Sequence, residues 1–99
     1  MVRDLRLDPY LTDVLMRDFI NHDRAPSAFL VYLWFWRQTH AQGRANFGAS
    51  LQDVARATGL SKSSVQNAVR HLKRRRLLSA EYESPTAAPI YRVNETWKR

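Results

Sequence analysis

Cysteine is absent from this 99-residue sequence, and glycine occurs only three times. The absence of cysteine excludes disulfides and thiolate metal sites. Phosphate-cradling loops are hardly available, since neither G-x-x-x-x-G-K nor G-x-G-x-x-G occurs. The longest apolar run, residues 28–36, is far short of the roughly 20 residues that span a bilayer. We therefore expect no cofactor and no membrane segment, and the charged N-terminus lacks a signal-peptide pattern.

Catalytic chemistry is not indicated either. His22, His40 and His71 are widely spaced, and no cysteine or paired-carboxylate motif accompanies them. His22 and Asp23 are neighbours in a predicted loop, which does not make a metal site without further ligands. We predict no catalytic and no metal-binding residue, and we expect His71 to be a surface or partly packed side chain.

Length and composition predict one domain over residues 1–99. A chain of this size can bury one core and hardly two, and 44% hydrophobic residues is ordinary for a globular fold. We divide the domain into an N-terminal helical extension, residues 1–26, and a core, residues 27–93. Because no ligand domain fits in this length, we expect no small-molecule effector.

Residues 50–76 have the pattern of two short helices joined by a tight turn. Ser50 with Asp53 fits a capped first turn. Gly59 can adopt the left-handed conformation that ends a helix, and Ser61 can accept the first amides of the next one. The first helix has one apolar stripe, with the spacing i, i+3, i+4 and i+7, formed by Leu51, Val54, Ala55 and Thr58. The pattern predicts a helix-turn-helix.

The second helix of this motif has two distinct faces. Its predicted buried face gathers Val65, Ala68, Val69 and Leu72 on one side of a helical wheel. The same wheel collects on the opposite side the residues Ser63, Gln66, Asn67, Arg70 and Arg74. These side chains can hydrogen-bond base edges or phosphate oxygens, so we call this set the polar face.

Positive charge is concentrated on the same helix. Residues 62–76 contain six of the sixteen basic residues and no acidic one, which leaves ten basic and nine acidic residues elsewhere. Almost the whole net charge of +7 therefore lies on and just after the second helix. A localised basic stripe beside a nearly neutral body is typical of a polyanion-binding protein.

Two strands are predicted after the motif, at residues 77–82 and 90–93, around a loop at residues 84–89 with a proline at each end. Residues 45–47 could supply a third strand. The predicted order is helix, short strand, helix, turn, helix and hairpin.

This order, together with the sequence LQDVARATGLSKSSVQNAVRHLKRRRLL, resembles the winged helix-turn-helix domains of bacterial transcriptional regulators, including the MarR-like and GntR-like types. The resemblance implies a mainly α fold with a small β-hairpin, here with an extra N-terminal helix. It also implies that residues 62–75 lie in the major groove of DNA. The hairpin, called the wing, departs from the family pattern, because Glu81 and Glu83 flank it and only Arg92 is basic.

We therefore predict a cytoplasmic, nucleoid-associated regulator whose partner is double-stranded DNA. The predicted base-contacting residues are Ser63, Gln66, Asn67 and Arg70. The predicted phosphate-binding residues are Ser61, Lys62, Lys73, Arg74, Arg75 and Arg92. Two alternatives stay open: the DNA-binding domain of a plasmid or phage replication initiator, and a winged helix that binds protein.

Residues 28–36 are apolar on nearly every side of a helix expected to start at Ser27, after Pro26. In one interpretation, the helix-turn-helix covers Phe29, Leu33 and Trp36, while the N-terminal helix covers Val31, Tyr32 and Phe35. In the other, Trp34 stays exposed and joins a homodimer interface.

The N-terminal helix is predicted from Pro9 to about Asn21, with Asp8 as its cap. Its surplus of apolar side chains favours a homodimer. The predicted interface consists of Tyr10, Val14, Phe19 and Trp34.

Overall fold

The computed structural model describes residues 4–98, so the first three residues of the predicted extension lie outside the described part. Residues 4–98 contain four helices, one short 3-10 turn at His40–Gln42 and one three-stranded sheet. The N-terminal helix covers residues 9–22, and the others are α1 (Pro26–Gln38), α2 (Leu51–Thr58) and α3 (Lys62–Arg74). The strands are β1 (Phe47–Gly48), β2 (Leu78–Glu81) and β3 (Ile90–Val93). The predicted order and the mainly helical winged fold are confirmed.

The sheet is antiparallel, with β3 between β1 and β2. Leu78 pairs with Val93, and Phe47 pairs with Tyr91. The predicted third strand exists, but it is displaced from residues 45–47 to Phe47–Gly48. The inner face of the sheet meets α1, where the rings of Phe35 and Tyr91 have centroids 4.7 Å apart. Burial in this contact raises the pKa of Tyr91 to about 12.

Helix α1 occupies the centre of the molecule and contacts the other three helices and β3. It begins at Pro26, one residue before the predicted start, and Ala25 supplies no side-chain cap. Proline suits this first position, because its missing N–H would have no helical partner there. The whole helix is 13 residues long. None of the helices in residues 4–98 is long and apolar enough to cross a membrane.

The predicted division of the α1 side chains between their neighbours is wrong. Phe29 contacts Phe19 of the N-terminal helix, with ring centroids 6.3 Å apart. Trp36 donates its Nε1–H to the carbonyl of Arg6 at 2.8 Å. Phe35 faces Tyr91 of the sheet instead of the N-terminal helix. The helical period places Phe29 and Trp36 on one face, but it does not say which element covers that face.

The N-terminal helix is confirmed over residues 9–22, with wide π-type turns at Leu11–Leu15 and Asp18–His22. Asp8 caps it as predicted, since its Oδ1 accepts the Tyr10 N–H at 2.9 Å. That hydrogen bond is the main cause that lowers the pKa of Asp8. Phe19 is fully buried within the protomer. The prediction that it belongs to a dimer interface is therefore wrong.

The segment after β3 returns to the N-terminal helix. Trp97 stacks on Tyr10 with ring centroids 4.6 Å apart, and Lys98 pairs with Asp8 at 3.2 Å. Tyr32 of α1 donates its hydroxyl to the Asn94 carbonyl at 2.9 Å. These contacts hold both described ends of the chain on the side of α1 where Trp36 lies.

Candidate nucleic-acid interface

Helix α2 begins with the predicted capping box. Ser50 Oγ accepts the Asp53 N–H, and Asp53 Oδ2 accepts the Ser50 N–H, both at 3.0 Å. Hydrogen bonds from Ser50 to the Asp53 carboxylate, led by the one from the Ser50 backbone, lower the pKa of Asp53. Two amides at the start of α2 are thereby satisfied, and a carboxylate lies at the positive end of the helix dipole.

The turn between α2 and α3 is set by backbone chemistry. Gly59 is left-handed, with φ of 80°, and its N–H donates to the Ala55 carbonyl at 2.9 Å. Thr58 donates its hydroxyl to the Val54 carbonyl at 2.8 Å and accepts the Leu60 N–H at 3.3 Å. Both helix ends are closed within a few residues, so the direction of α3 relative to α2 is fixed.

Helix α3 starts after Ser61, whose Oγ accepts the Ser64 N–H at 3.1 Å. The predicted buried face is confirmed: Val65 and Leu72 have no exposed surface, and Ala68 and Val69 are also buried. The polar face is exposed along its whole length, at Ser63, Gln66, Asn67, Arg70 and Arg74. Within it, Arg70 Nη1 donates to Asn67 Oδ1 at 3.2 Å.

An open groove of about 650 Å³ separates α3 from the wing loop, and we call it the wing groove. Its helical wall carries Lys62, Gln66, Arg70 and Lys73. Its other wall is formed mainly by residues 86–89 together with Tyr82 and Tyr91. Lys62, Arg70 and Lys73 make the groove basic on the side of α3, which suits a negatively charged strand.

Arg92 lies apart from this arrangement. It is exposed on β3, and the neighbouring Tyr91 lines the wing groove. Because successive side chains of a strand point to opposite faces, Arg92 leaves the sheet on the other side from Tyr91. The structure therefore does not bring Arg92 together with the basic residues of α3.

Arg75 is partly exposed, but its guanidinium is engaged within the protein. Its guanidinium pairs with the carboxylate of Asp23 and lies over the ring of Phe19, 5.2 Å from the centroid. This arginine thus makes an intramolecular ion pair at the end of α3. The prediction that Arg75 binds phosphate is corrected by this packing.

Asp23 makes contacts near α3 that the sequence did not predict. Its side chain is only 6% exposed, and Oδ2 accepts from His71 Nε2 at 2.8 Å as well as from Arg75. Oδ1 contacts His22 Nδ1 at 2.8 Å. The carboxylate therefore joins the loop before α1 to the end of α3. His71 is partly packed, as predicted, against the edge of Phe19.

The comparison with known proteins agrees with the geometry. A family model described as a helix-turn-helix domain matches residues 25–78, just over half of the chain. The chain belongs to the helix-turn-helix domain family. The match runs from the residue before α1 to the start of β2, so it contains the whole α2-turn-α3 motif. Neither a curated protein nor a solved structure matches the chain.

Helix-turn-helix membership indicates DNA binding, and domains of this family are typically not enzymes. Within residues 4–98, no group of three or more histidine, aspartate or glutamate side chains is placed to hold a metal ion. His40, the third histidine, is packed against Trp36, with ring centroids 4.4 Å apart.

Substitution of Gly59 by alanine should destabilise the fold by about 1 kcal/mol, because a side chain disfavours the left-handed conformation. An added Cβ would meet no atom within 4 Å, so the effect would come from the backbone alone. The measurement is urea unfolding. Gly48→Ala is the control, since its Cβ would make only ordinary contacts and no positive φ is involved. Equal losses for the two variants would contradict this account of the turn.

The pKa of Asp23 predicts a specific acid dependence of stability. Burial opposes ionisation, but hydrogen bonds from His22 and His71 and the charge of Arg75 together lower its pKa from 3.8 to about 2. Because the folded pKa lies below the unfolded one, the stabilisation is complete above about pH 4 and disappears as the pH falls to about 2. Its size is about 2 kcal/mol.

The check is the free energy of unfolding of the wild type and of Asp23→Asn between pH 5 and pH 2. The difference between the two proteins should shrink on acidification across this window. A difference that is independent of pH would show that the Asp23 carboxylate is not held in its charged form.

Proposed function

We propose that this protein is a sequence-specific double-stranded DNA-binding regulator of transcription that places α3 in the major groove. The observation that supports it most is the exposed polar face of α3, whose opposite face is buried against the core. A helix of this kind, without an acidic residue between 62 and 76, fits between two phosphate strands without charge repulsion.

The base-contacting residues in this proposal are Ser63, Gln66, Asn67 and Arg70. The amides of Gln66 and Asn67 suit the donor and acceptor pair of adenine, and Arg70 suits the two acceptors of guanine. Asn67 and Arg70 are already within hydrogen-bonding distance of each other and both are exposed. They can therefore contact adjacent base pairs.

The phosphate contacts come from the flanks of the polar face. Lys62 and Lys73 lie along the wing groove, while Arg74 is exposed on the helix side away from it. Ser61 is exposed at the start of α3, although its hydroxyl already caps the helix. We leave Arg75 and Arg92 out of the proposed contacts because of their positions.

The finer assignment to MarR-like or GntR-like bacterial regulators rests on the sequence of the helix-turn-helix and on the order of the elements, and it is part of the proposal. The organisation of residues 1–99 as one domain is also part of the proposal. In this domain the N-terminal helix packs on α1. A regulator of chromosomal genes would act in the bacterial cytoplasm.

The proposal is tested by fluorescence anisotropy. The protein selects duplexes from a random-sequence pool, and a selected duplex and its scrambled counterpart are then titrated across salt concentrations. We expect a steep salt dependence and a gap between the two affinities of at least about a thousandfold. Equal weak binding to both duplexes would refute sequence-specific recognition and favour a protein partner.

Two substitutions on α3 separate base contacts from phosphate contacts. Arg70→Ala should cost about 1–3 kcal/mol on the selected duplex and relax the preference at one base pair. Lys73→Ala should weaken binding to all duplexes by a similar factor and reduce the salt slope by about one. Selection from a random pool by each variant provides the readout. Uniform weakening by both substitutions would contradict this division of roles.

We further propose that the protein forms a homodimer. Large apolar side chains are exposed on the N-terminal half, among them Leu5 (43%), Ile20 (53%) and Leu30 (47%). Trp34 is half-buried and lines a shallow apolar depression with Leu5 and Leu30. Tyr10 and Val14 also keep part of their surface. A two-fold dimer would double the DNA contact of a small module and match a palindromic site.

Sedimentation velocity at micromolar concentration should give the mass of a dimer, and Leu30→Glu should shift the protein toward monomer. Tyr82→Ser is the control, because it removes an exposed apolar side chain from the wing instead. A monomer mass of the wild type across the whole concentration range would contradict the dimer.

A further inference from the structure

A second concave surface lies on the other side of α3 from the wing groove. It has a volume of about 310 Å³ and is lined from one side by Arg24 and Ser27, at the start of α1. From the other side it is lined by Asn67, Arg70 and Arg74 of α3. We call it the Arg24 depression.

The depression is strongly positive. Three guanidinium groups line it, those of Arg24, Arg70 and Arg74, and within residues 4–98 no carboxylate does. The nearby Asp23 carboxylate is buried and is bonded to His71 and Arg75. Helix α1 also begins here, so the positive end of its dipole adds to the same field. Such a surface favours an anion with several oxygen acceptors.

The backbone at Arg24 supports a role for its side chain. Arg24 is left-handed, with φ of 53°, a conformation that costs a non-glycine residue about 1 kcal/mol. The conformation is needed where the chain turns from the N-terminal helix into α1, and Ala25 N–H there donates to the Phe19 carbonyl at 2.6 Å. Glycine or asparagine would fit this turn better. The turn geometry alone therefore does not account for an arginine.

The two concave surfaces flank one helix, and Arg70 lines both of them. A helix inserted in the major groove has one sugar-phosphate strand on each side. We propose that the Arg24 depression binds phosphates of the DNA strand opposite to the one in the wing groove, with Arg24 as the principal contact and Arg74 beside it. This inference rests on the proposed function and adds a contact from outside the helix-turn-helix motif.

The first test is the salt dependence of binding to a selected duplex by Arg24→Gln. Loss of one phosphate contact should reduce the salt slope by about 0.9, which corresponds to about eightfold weaker binding at 0.1 M salt and about threefold at 0.3 M. The preference for the selected over the scrambled duplex should not change, since no base contact is removed.

Arg17→Gln is the matched control. Arg17 is exposed on the N-terminal helix, on the side opposite the residues that the helix buries, Leu11, Leu15 and Phe19. Arg17→Gln removes the same charge from the neighbouring helix, and we expect less than a twofold change in affinity. If Arg17→Gln and Arg24→Gln weakened binding equally, the loss of affinity would come from the change in net charge alone. That outcome would overturn the proposed phosphate site.

The second test assigns the strand. Single phosphates of the selected duplex are replaced by neutral methylphosphonates, and each modified duplex is titrated with wild type, Arg24→Gln and Lys73→Ala. The weakening by Arg24→Gln should vanish at one or two phosphates, because the contact is already lost there. These phosphates should lie on the strand opposite to those that couple to Lys73. Coupling of both variants to the same strand would overturn the proposal.

Folding is monitored separately with Arg24→Gly. This change should leave the melting temperature unchanged or higher, because the left-handed backbone is relieved, and yet weaken DNA binding as Arg24→Gln does. If Arg24→Gly lost DNA affinity in proportion to a loss of stability, Arg24 would have a structural role only. If the wild type itself binds no duplex, the proposed function is refuted. If stable Arg24 variants bind the selected duplex as tightly as the wild type does, only the proposed phosphate site in the Arg24 depression is refuted.

Discussion

The inner face of α3 packs against α1, and this contact decides which side chains the helix presents to solvent. Val65, Ala68, Val69 and Leu72 are buried there, while every third or fourth residue on the other side is polar and exposed. Full burial of a valine or leucine stabilises a fold by about 2 kcal/mol. A rotation of α3 about its axis would expose these residues, so the orientation of the polar face is determined by the core.

Polar contacts refine this orientation at both ends of the helix. Ser61 caps the start of α3, and the left-handed Gly59 fixes the angle at which the chain arrives. At the far end, Asp23 accepts hydrogen bonds from His71 and Arg75 and thereby ties α3 to the loop before α1. Removal of one partner from a buried ion pair is costly. Because Arg24 follows Asp23 in this loop, the same contact also holds Arg24 beside α3.

Local signals in the sequence were sufficient for the motif itself. The capping box at Ser50, the left-handed Gly59 and the buried stripe of α3 all depend on side chains within a few residues of one another, and all three are found where the pattern predicts them. The same holds for the hairpin and for Asp8 at the start of the N-terminal helix.

A single sequence does not show which residues far apart along the chain contact each other in the fold. A helix that is apolar on nearly all sides, such as α1, does not reveal which element covers Phe29 or Phe35. Similarly, a run of three arginines does not show that Arg75 pairs with Asp23, 52 positions away. The proximity of Arg24 to Arg70 and Arg74 likewise depends on how α1 and α3 lie side by side. These features depend on tertiary packing, which local periodicity does not encode.

The most direct test of the central claim is dimethyl sulfate footprinting of the protein on a duplex that it has selected. Guanine N7 lies in the major groove and adenine N3 in the minor groove, so the two methylation sites distinguish the grooves. Insertion of α3 predicts protection of guanine N7 within one half-site, lost at a single guanine in Arg70→Ala. Guanines that stay fully reactive in a saturated complex would contradict the placement of α3 in the major groove.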